Sequence, residues 1–281
     1  MAEPQPYELY AIRYASARRN AAEVFVGADP HDAGLQMDYF VWLARNQERT
    51  VVVDTGFDEA AAGRRGRRLT RRPEEGLRML GVDPGAVENV ILTHLHYDHA
   101  GNLDLFPRAT FHVQDREIAY ATGRYMAEAF FAQAYDLDHV LSAVRLTYAG
   151  RIRYHDCTDQ EVAPGIRVHH VGGHTRGLQV VRVWTQLGWV VLASDAMHFM
   201  ANRDSCRPFP ILADATEMID GWRRLRRLAD AADNIVPGHD PLVMSRYRPP
   251  RPQLEGIVVR LDEKPRWSGR PGIAERPEGE C

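Results

Sequence analysis

The sequence of 281 residues lacks several features that define large classes of protein. It has no apolar run of about 18 residues or more, the length that a membrane-spanning helix needs. Its first residues lack the basic stretch and apolar core of a secretory signal. Its three cysteines, Cys157, Cys206 and Cys281, are too few and too scattered for a disulfide framework or a cysteine-rich zinc module. We therefore expect a cytoplasmic protein with no membrane partner.

The chain also lacks an excess of charge of one sign. Its 35 basic and 38 acidic residues give a net charge of −3, so the basic surplus typical of nucleic-acid-binding proteins is missing. We expect no nucleic-acid partner. One basic cluster lies between residues 64 and 72, and we interpret it as a solvated loop rather than a phosphate-binding patch. Its members are Arg64, Arg65, Arg67, Arg68, Arg71 and Arg72.

Short apolar runs alternate with helical patterns, which predicts an α/β protein. Strands are predicted at 39–43, 51–53, 90–92, 110–113, 166–169, 180–184, 189–192, 235–236 and 256–261. Helices are predicted at 74–80, 116–120, 124–135 and 215–231. We expect one domain over residues 1–250, followed by a proline-rich and partly mobile C-terminal extension, 251–281.

Histidine is the residue whose placement carries chemistry. His94, His96, Asp98 and His99 lie within six residues, directly after the predicted strand 90–92. The side chains of His94 and His96 point to the same side of an extended segment, because they are two residues apart. A hydrogen-bonded polar loop is the structural alternative, but so many buried imidazole and carboxylate groups would stay unsatisfied there. The cluster therefore predicts a site for divalent metal ions that accept nitrogen and oxygen ligands.

Three further candidate ligands follow predicted strands and have small neighbours. They are His174 in a Gly-Gly-His-Thr segment, Asp195 in Ala-Ser-Asp, and His239 in Pro-Gly-His. A lone histidine after a strand is more often structural. Four strand ends that each present a ligand are difficult to explain without a metal.

The set His94, His96, Asp98, His99, His174, Asp195 and His239 resembles the metallo-β-lactamase superfamily pattern His-x-His-x-Asp-His, then His, Asp and His. The resemblance implies a four-layer αββα sandwich with a two-metal site at one edge of the paired sheets. His94, His96 and His174 would hold one metal, Asp98, His99 and His239 the second, and Asp195 would bridge them. Asp54 matches the outer aspartate that orients ligand histidines.

Such a site implies hydrolysis. Two cations lower the pKa of a bridging water, and the resulting hydroxide attacks a carbonyl carbon. Asp98 is placed to carry the proton to the leaving alkoxide. The ligands are nitrogen and oxygen without thiolate, which favours zinc and leaves iron, manganese or cobalt open.

Within the superfamily, the segments around His94, His174 and Asp195 look most like the N-acyl-homoserine lactone lactonases, the enzymes of quorum quenching. Those enzymes usually carry a tyrosine three residues after the bridging aspartate, where this sequence has His198. His198 either donates a hydrogen bond to the substrate carbonyl or packs beneath the site. Apolar pocket walls are expected from Met197, Phe199, Phe130, Phe131 and Phe209.

The sequence thus predicts a metal-dependent lactonase acting on a small lactone or ester, and its relatives suggest a homodimer. Two alternatives remain. A thioesterase of the glyoxalase II type shares the ligands but needs a basic patch to anchor its substrate's tail. A metal-binding protein without turnover would bind ions and hydrolyse nothing.

Overall fold

The chain folds as strands and helices that alternate along most of its length. The computed structural model describes residues 4–29 and 31–268. The strands in this part are Glu8–Arg19 (β1), Leu35–Arg45 (β2), Thr50–Val53 (β3), Asn89–Ile91 (β4), Thr110–Gln114 (β5), Ile152–His155 (β6), Gln160–Ala163 (β7), Ile166–His170 (β8), Gln179–Thr185 (β9), Gly188–Ser194 (β10), Ile235–Pro237 (β11) and Val258–Arg260 (β12). The α-helices are Glu59–Arg64 (α1), Pro73–Met79 (α2), Asp115–Ala121 (α3), Ala129–Ala132 (α4), Leu137–Tyr148 (α5), Met200–Asp204 (α6), Ala215–Leu228 (α7) and Leu242–Arg246 (α8).

The strands form two sheets. The first has seven strands in the order β12-β1-β2-β3-β4-β5-β6, and its half from β3 to β6 is parallel. The second has five strands in the order β11-β10-β9-β8-β7, with only β10 and β11 parallel to each other. The predicted strands 39–43 and 51–53 lie in β2 and β3, which pair antiparallel as a hairpin with Trp42 opposite Val53.

Alternation of side chains along the strands builds the layers. In β2, Trp42 packs between the two sheets, whereas its neighbour Val41 packs on the outer face of the first sheet. That outer face is covered by α2, α3 and α5, which contribute Leu77, Tyr120 and Val140. The outer face of the second sheet is covered by α7. The order helix, sheet, sheet, helix confirms the expected αββα sandwich.

Two of the predicted helices differ from the sequence expectations. The aromatic segment expected as one helix over 124–135 contains only a 3-10 turn, Arg124–Ala127, and the short α4. The main chain is extended at Glu128, which interrupts the helix. Near the end of the segment, the Ala134 carbonyl accepts a hydrogen bond from the Tyr97 N–H (2.9 Å) instead of one within a helix. Helix α7 stops at Leu228 instead of 231, because Ala229 is extended and the Asp230 carboxylate accepts from the Trp189 N–H.

The C-terminal region differs from its expectation as well. Strand β12 pairs with β1 at the edge of the first sheet, and Leu254 and Val259 are buried in the cores. The packed domain therefore extends beyond residue 250, the boundary that the prolines suggested. Residues 269–281 of the expected mobile tail lie outside the described residues. In the described part, no helix combines the length and apolarity needed to cross a bilayer.

Candidate metal centre

The predicted ligands lie where strands of both sheets end. His94, His96, Asp98 and His99 follow the carboxyl end of β4 in the first sheet. The three others follow strands of the second sheet: His174 comes after β8, Asp195 after β10 and His239 after β11. The two sheets thus present their ligands to one common edge, as the motif spacing predicted.

The seven side chains form two groups. His94, His96, His174 and Asp195 bring one ligand atom each to within 4.8 Å of one another, and so do Asp98, His99 and His239. We call them the first and the second half of the centre. All seven are buried, and the most exposed is Asp98 at 7%.

Asp195 divides its carboxylate between the two halves. Its Oδ2 lies 3.1 Å from Nε2 of His174 and 3.7 Å from Nε2 of His94. Its Oδ1 lies 3.0 Å from Nε2 of His239 and 3.3 Å from Nε2 of His99. One oxygen faces each half, which is the arrangement of a bridging ligand.

The far nitrogens of the histidines are held by protein acceptors. Nδ1 of His174 donates to the Ile211 carbonyl (2.6 Å), and Nδ1 of His239 donates to the Asp38 carbonyl (2.8 Å). Because a carbonyl can only accept, these bonds place the proton on Nδ1 and leave Nε2 with a free lone pair. That lone pair points into the centre in each case.

Asp54 orients a third histidine. Its Oδ2 accepts from Nδ1 of His99 (2.7 Å) and from the Thr93 hydroxyl (2.8 Å), while Oδ1 accepts from the Thr93 N–H (2.7 Å). The same hydroxyl lies 3.1 Å from Nδ1 of His94. The outer aspartate expected from the sequence thus touches one ligand directly and a second through Thr93.

Several buried atoms of the described residues at the centre face one another but have no hydrogen-bond partner. These are Nε2 of His94, His99 and His239 and Oδ1 of Asp195. In addition, Nδ1 of His96 lies 2.9 Å from Nε2 of His174. Burial lowers the pKa of His94 and of His96 well below the usual value, which keeps both neutral. Burial opposes charge on His99 and His239 as well, but the Asp195 carboxylate raises the pKa of both, and a bound cation would take the place of those protons. Imidazoles and a carboxylate that converge in this way fit divalent cations, because a cation satisfies all of these ligand atoms together.

The backbone around Asp195 is shaped for this approach. Ser194 adopts a left-handed conformation with φ 44°, which a non-glycine residue rarely does. A Cβ added to Gly238 would lie 2.6 Å from the carbonyl of Ser194 and 3.0 Å from Oδ1 of Asp195. Glycine is therefore required beside His239.

His198 lies inside the centre. Its Nε2 is 2.9 Å from Oδ2 of Asp195, and its ring stacks on Phe209 with 3.7 Å between centroids and 4° between planes. Burial lowers the pKa of His198 to about 3, so the ring is neutral and Nε2–H donates to the carboxylate.

The residues expected to line the pocket occupy different places. Phe209 packs on His198, and its ring centroid is 6.4 Å from that of His174. Met197 is buried with the side chains beneath α7, and Phe199 is buried in the core on the first sheet. Phe130 is 55% exposed and makes an edge contact with Phe131. Only Phe209 is brought into contact with the centre.

The arginine cluster is not the purely solvated loop that its composition suggested. Arg64 and Arg72 form ion pairs with Asp136 and Glu59, both at 2.7 Å. Arg65 lies 4.0 Å from the ring centroid of Tyr97 and donates to the carbonyls of Gln133 and Tyr135. These arginines connect the loop to the segments behind the centre.

Sequence reasoning missed Glu117 and Tyr135. The Tyr135 ring lies edge-on to His96, with centroids 4.5 Å apart, and its hydroxyl donates to Glu117. Glu117 lies in the first turn of α3, where an acidic residue is ordinary, so nothing in the local pattern marks it. Its complete burial is visible only in the folded chain.

Comparison with known proteins agrees with this geometry. The family model described as Metallo-beta-lactamase superfamily matches residues 36–239. The human protein named metallo-beta-lactamase domain-containing protein 1 is 32% identical over 178 residues, covering 63% of this chain, and the chain spans 56% of that protein's length. An N-acyl homoserine lactonase of Bacillus sp is 28% identical over 227 residues, covering 74% of this chain and 84% of that one.

A solved structure supports the fold. It is an N-acyl homoserine lactone hydrolase with the product N-hexanoyl-L-homoserine bound at its catalytic metal centre. The TM-score is 0.72 at 23% identity, over 87% of this chain and 96% of that one. With the ligand pattern placed at one edge of an αββα sandwich and the family match spanning most of the chain, this protein belongs to the metallo-beta-lactamase superfamily.

Proposed function

We propose that the protein is a dinuclear metal-dependent hydrolase that opens a lactone ring, a cyclic carboxylic ester. The observation that carries the proposal is the carboxylate of Asp195, which presents one oxygen to each half of the centre. Relatives named N-acyl homoserine lactonases support the lactone as the substrate class. An N-acyl homoserine lactone is therefore the first substrate to test, and quorum quenching the biological role to test with it.

His94, His96 and His174 would hold one cation and Asp98, His99 and His239 the other, with Asp195 between them. Zinc is the proposed metal, since the ligands are imidazole and carboxylate; iron, manganese and cobalt accept the same set. When bound, such a pair supplies a water of lowered pKa and polarises the ester carbonyl. The protein's part is to fix the ligands and to handle the proton.

Asp98 is the proposed proton carrier. Its carboxylate lies 3.8 Å from Nε2 of His239 and 3.9 Å from Nε2 of His99, and it is the most exposed of the seven ligands. A carboxylate at the border between the centre and the outside can pass a proton to the departing alkoxide.

The change Asp98→Asn tests this role. Asparagine keeps the size and one oxygen but removes the basic group, so we expect turnover of the metal-loaded variant to fall about 100- to 10,000-fold. Metal analysis of the purified variant is the necessary control. Full turnover in a metal-loaded Asp98→Asn protein would exclude proton transfer by Asp98.

His198 and Phe209 are the proposed substrate contacts nearest the ester. Phe209 holds the His198 ring by stacking. The one N–H of the neutral ring donates to Asp195 in this structure, and when Asp195 binds cations this N–H would be released to donate to the substrate carbonyl, in place of the tyrosine that lactonases carry there. Phe130 and Phe131 remain proposals for an outer apolar wall. Met197 and Phe199 would reach a substrate only if their segment moved, since both are buried in cores.

The thioesterase alternative needs a free cationic anchor. Arg65 is the arginine placed on Tyr97, beside Asp98 in the sequence, but both of its terminal nitrogens already donate to main-chain carbonyls. This use of Arg65 in the protein wall favours an uncharged lactone over a substrate with an anionic tail.

The decisive experiment combines metal analysis with a substrate panel. The metal-loaded protein is assayed with N-acyl homoserine lactones, other lactones, a glutathione thioester, a β-lactam and a phosphodiester. We expect the highest kcat/KM for a lactone. A preference for the thioester would replace the substrate class and keep the site, and metal content without turnover would indicate a binding protein. The homodimer and the cytoplasmic location remain proposals, which chromatography with light scattering and cell fractionation test.

A further inference from the structure

Glu117 is a completely buried carboxylate that the mechanism does not use. It belongs to the first turn of α3 and has no exposed surface. Four donors surround it. Oε1 accepts from the Leu95 N–H and the Tyr135 hydroxyl, both at 2.9 Å. Oε2 accepts from the Thr175 hydroxyl at 2.6 Å and the Gly177 N–H at 3.2 Å.

Three of these donors adjoin a ligand of the first half, and the fourth, Gly177, lies three residues after His174. Leu95 lies between His94 and His96 in the chain, and Thr175 follows His174 directly. Tyr135 contacts a ligand directly, because its ring packs edge-on against His96. One carboxylate therefore joins two loops that are about eighty positions apart and fixes both sides of the first half.

The loop after β8 approaches α3 as closely as backbone permits. A Cβ at Gly177 would lie 2.1 Å from the backbone nitrogen of Glu117, so only glycine fits. The contact between this loop and Glu117 is a built feature of the fold, since a larger residue at position 177 would push the loop away.

The second half has a different acidic anchor. Among the ligands, the one that Asp54 bonds directly is His99, through Nδ1 at 2.7 Å. Glu117 bonds the chain around His96 and His174 and makes no hydrogen bond to the second half in the described residues. Glu117 thus serves the first half alone, whereas Asp54 bonds the second half directly and reaches the first half only through the Thr93 hydroxyl beside His94.

We propose that Glu117 is the positioning residue of the first half of the centre: it holds the loops of His96 and His174 at the spacing that one cation requires. The inference deepens the proposed function, because it assigns how the proposed dinuclear centre is assembled. It concerns metal binding and is independent of which ester is hydrolysed.

The variant Glu117→Gln disturbs this arrangement selectively. An amide has one accepting oxygen, and its NH₂ group replaces either Oε1 or Oε2. The hydroxyls of Tyr135 and Thr175 can rotate and accept from the NH₂ group, but a backbone N–H cannot. In either orientation one N–H, that of Leu95 or that of Gly177, loses its acceptor in a buried place. The change keeps the volume, so the fold is expected to survive.

The experiment titrates metal-depleted protein with Co²⁺ against a chromophoric chelator and records the visible absorption of the bound ions. For Glu117→Gln we expect one cation to bind about 10- to 100-fold more weakly than in the wild type, the magnitude typical of outer-shell changes, while the other binds normally. The spectrum of the remaining ion should match that of His96→Ala, which lacks a ligand of the first half.

Two further variants make the result interpretable. Asp54→Asn should weaken mainly the other ion, because its direct bond is to His99, with a spectrum unlike that of His96→Ala. Thr175→Val removes a single donor and should weaken the same ion as Glu117→Gln by a smaller factor, which keeps the test valid if Glu117→Gln folds poorly by circular dichroism. The inference would be overturned if Glu117→Gln and Thr175→Val bound both ions as the wild type does. It would also be overturned if these variants bound the two ions with equally reduced affinity. Because the readout is metal affinity, failure of the lactone panel leaves it unaffected.

Discussion

At the scale of residues, the direction of a single ring nitrogen decides what each histidine can do. Nδ1 of His174 and Nδ1 of His239 each donate to a main-chain carbonyl, which leaves Nε2 of each ring to bind a cation. His198 differs, because its Nε2 donates to the bridging carboxylate of Asp195 and its ring is fixed by Phe209. His198 therefore acts as a hydrogen-bond donor to a ligand and not as one of the seven proposed ligands.

The variant His198→Phe tests that role. Phenylalanine preserves the stack on Phe209 and removes the N–H, so we expect the cations to stay and kcat/KM for the best lactone to fall about 100-fold or more. His198→Tyr, which restores a hydroxyl donor, should recover part of the loss. Steady-state kinetics with metal analysis of each variant is the measurement. Unchanged kinetics in His198→Phe would leave the ring a packing role only.

The ligands were predictable from the sequence and Glu117 was not, for a physical reason. His94, His96, Asp98 and His99 form a local cluster, so their joint purpose is visible without the fold. Glu117 acts through donors from three distant segments, and only folding brings these together. The pocket positions of Met197 and Phe199 were not predictable for a similar reason. Both are apolar and follow a ligand in the sequence, but in the folded chain they are buried in the adjacent hydrophobic cores.

At the scale of elements, the spacing of apolar residues predicted most strands. Hydrogen bonds between distant segments determine the elements that this spacing did not predict. The segment 124–135 has the composition of a helix. Near its end, however, the Ala134 carbonyl accepts from the Tyr97 N–H in the ligand loop, and the segment does not form one continuous helix. Strand β1, with twelve residues, was absent from the sequence prediction because alanine, serine and arginine interrupt its apolar pattern. Its place in the middle of antiparallel pairing with β2 and β12 makes it a strand.

Helix α7 was predicted from its apolar stripe, and its stability is testable. Trp222 is buried at 2% exposure beside Met218 and Leu225, and its indole N–H donates to the Ala196 carbonyl at 2.7 Å. We expect Trp222→Ala to lower the free energy of unfolding by about 3–5 kcal/mol, since it opens a cavity and removes that bond. Urea unfolding measures the change.

The matched control is Arg226→Ala on the exposed face of the same helix. It should shift the free energy of unfolding by no more than about 0.5 kcal/mol. Similar losses in both variants would mean that the packing of Trp222 on the second sheet contributes no more to stability than an exposed side chain does.

At the scale of the whole molecule, the centre joins the two sheets. The first sheet supplies four ligands after β4, and the second sheet supplies three after β8, β10 and β11. Cations bound there would tie the sheets together at this edge, in addition to the apolar layer between them. Without cations, buried ligand atoms that lack hydrogen bonds are crowded together at this edge, which opposes close packing.

Metal removal should therefore reduce global stability. A ligand that binds only the folded state stabilises it by about 4 kcal/mol when its concentration is 1,000 times its Kd, so the loaded protein should unfold at a clearly higher temperature than the chelated protein. Calorimetry at several free zinc concentrations measures the dependence. The variant His96→Ala should show a smaller increase with zinc, because one ligand of the first half is missing. Equal unfolding temperatures for loaded and chelated wild-type protein would contradict a cation that bridges the sheets, and would place any bound metal outside this edge.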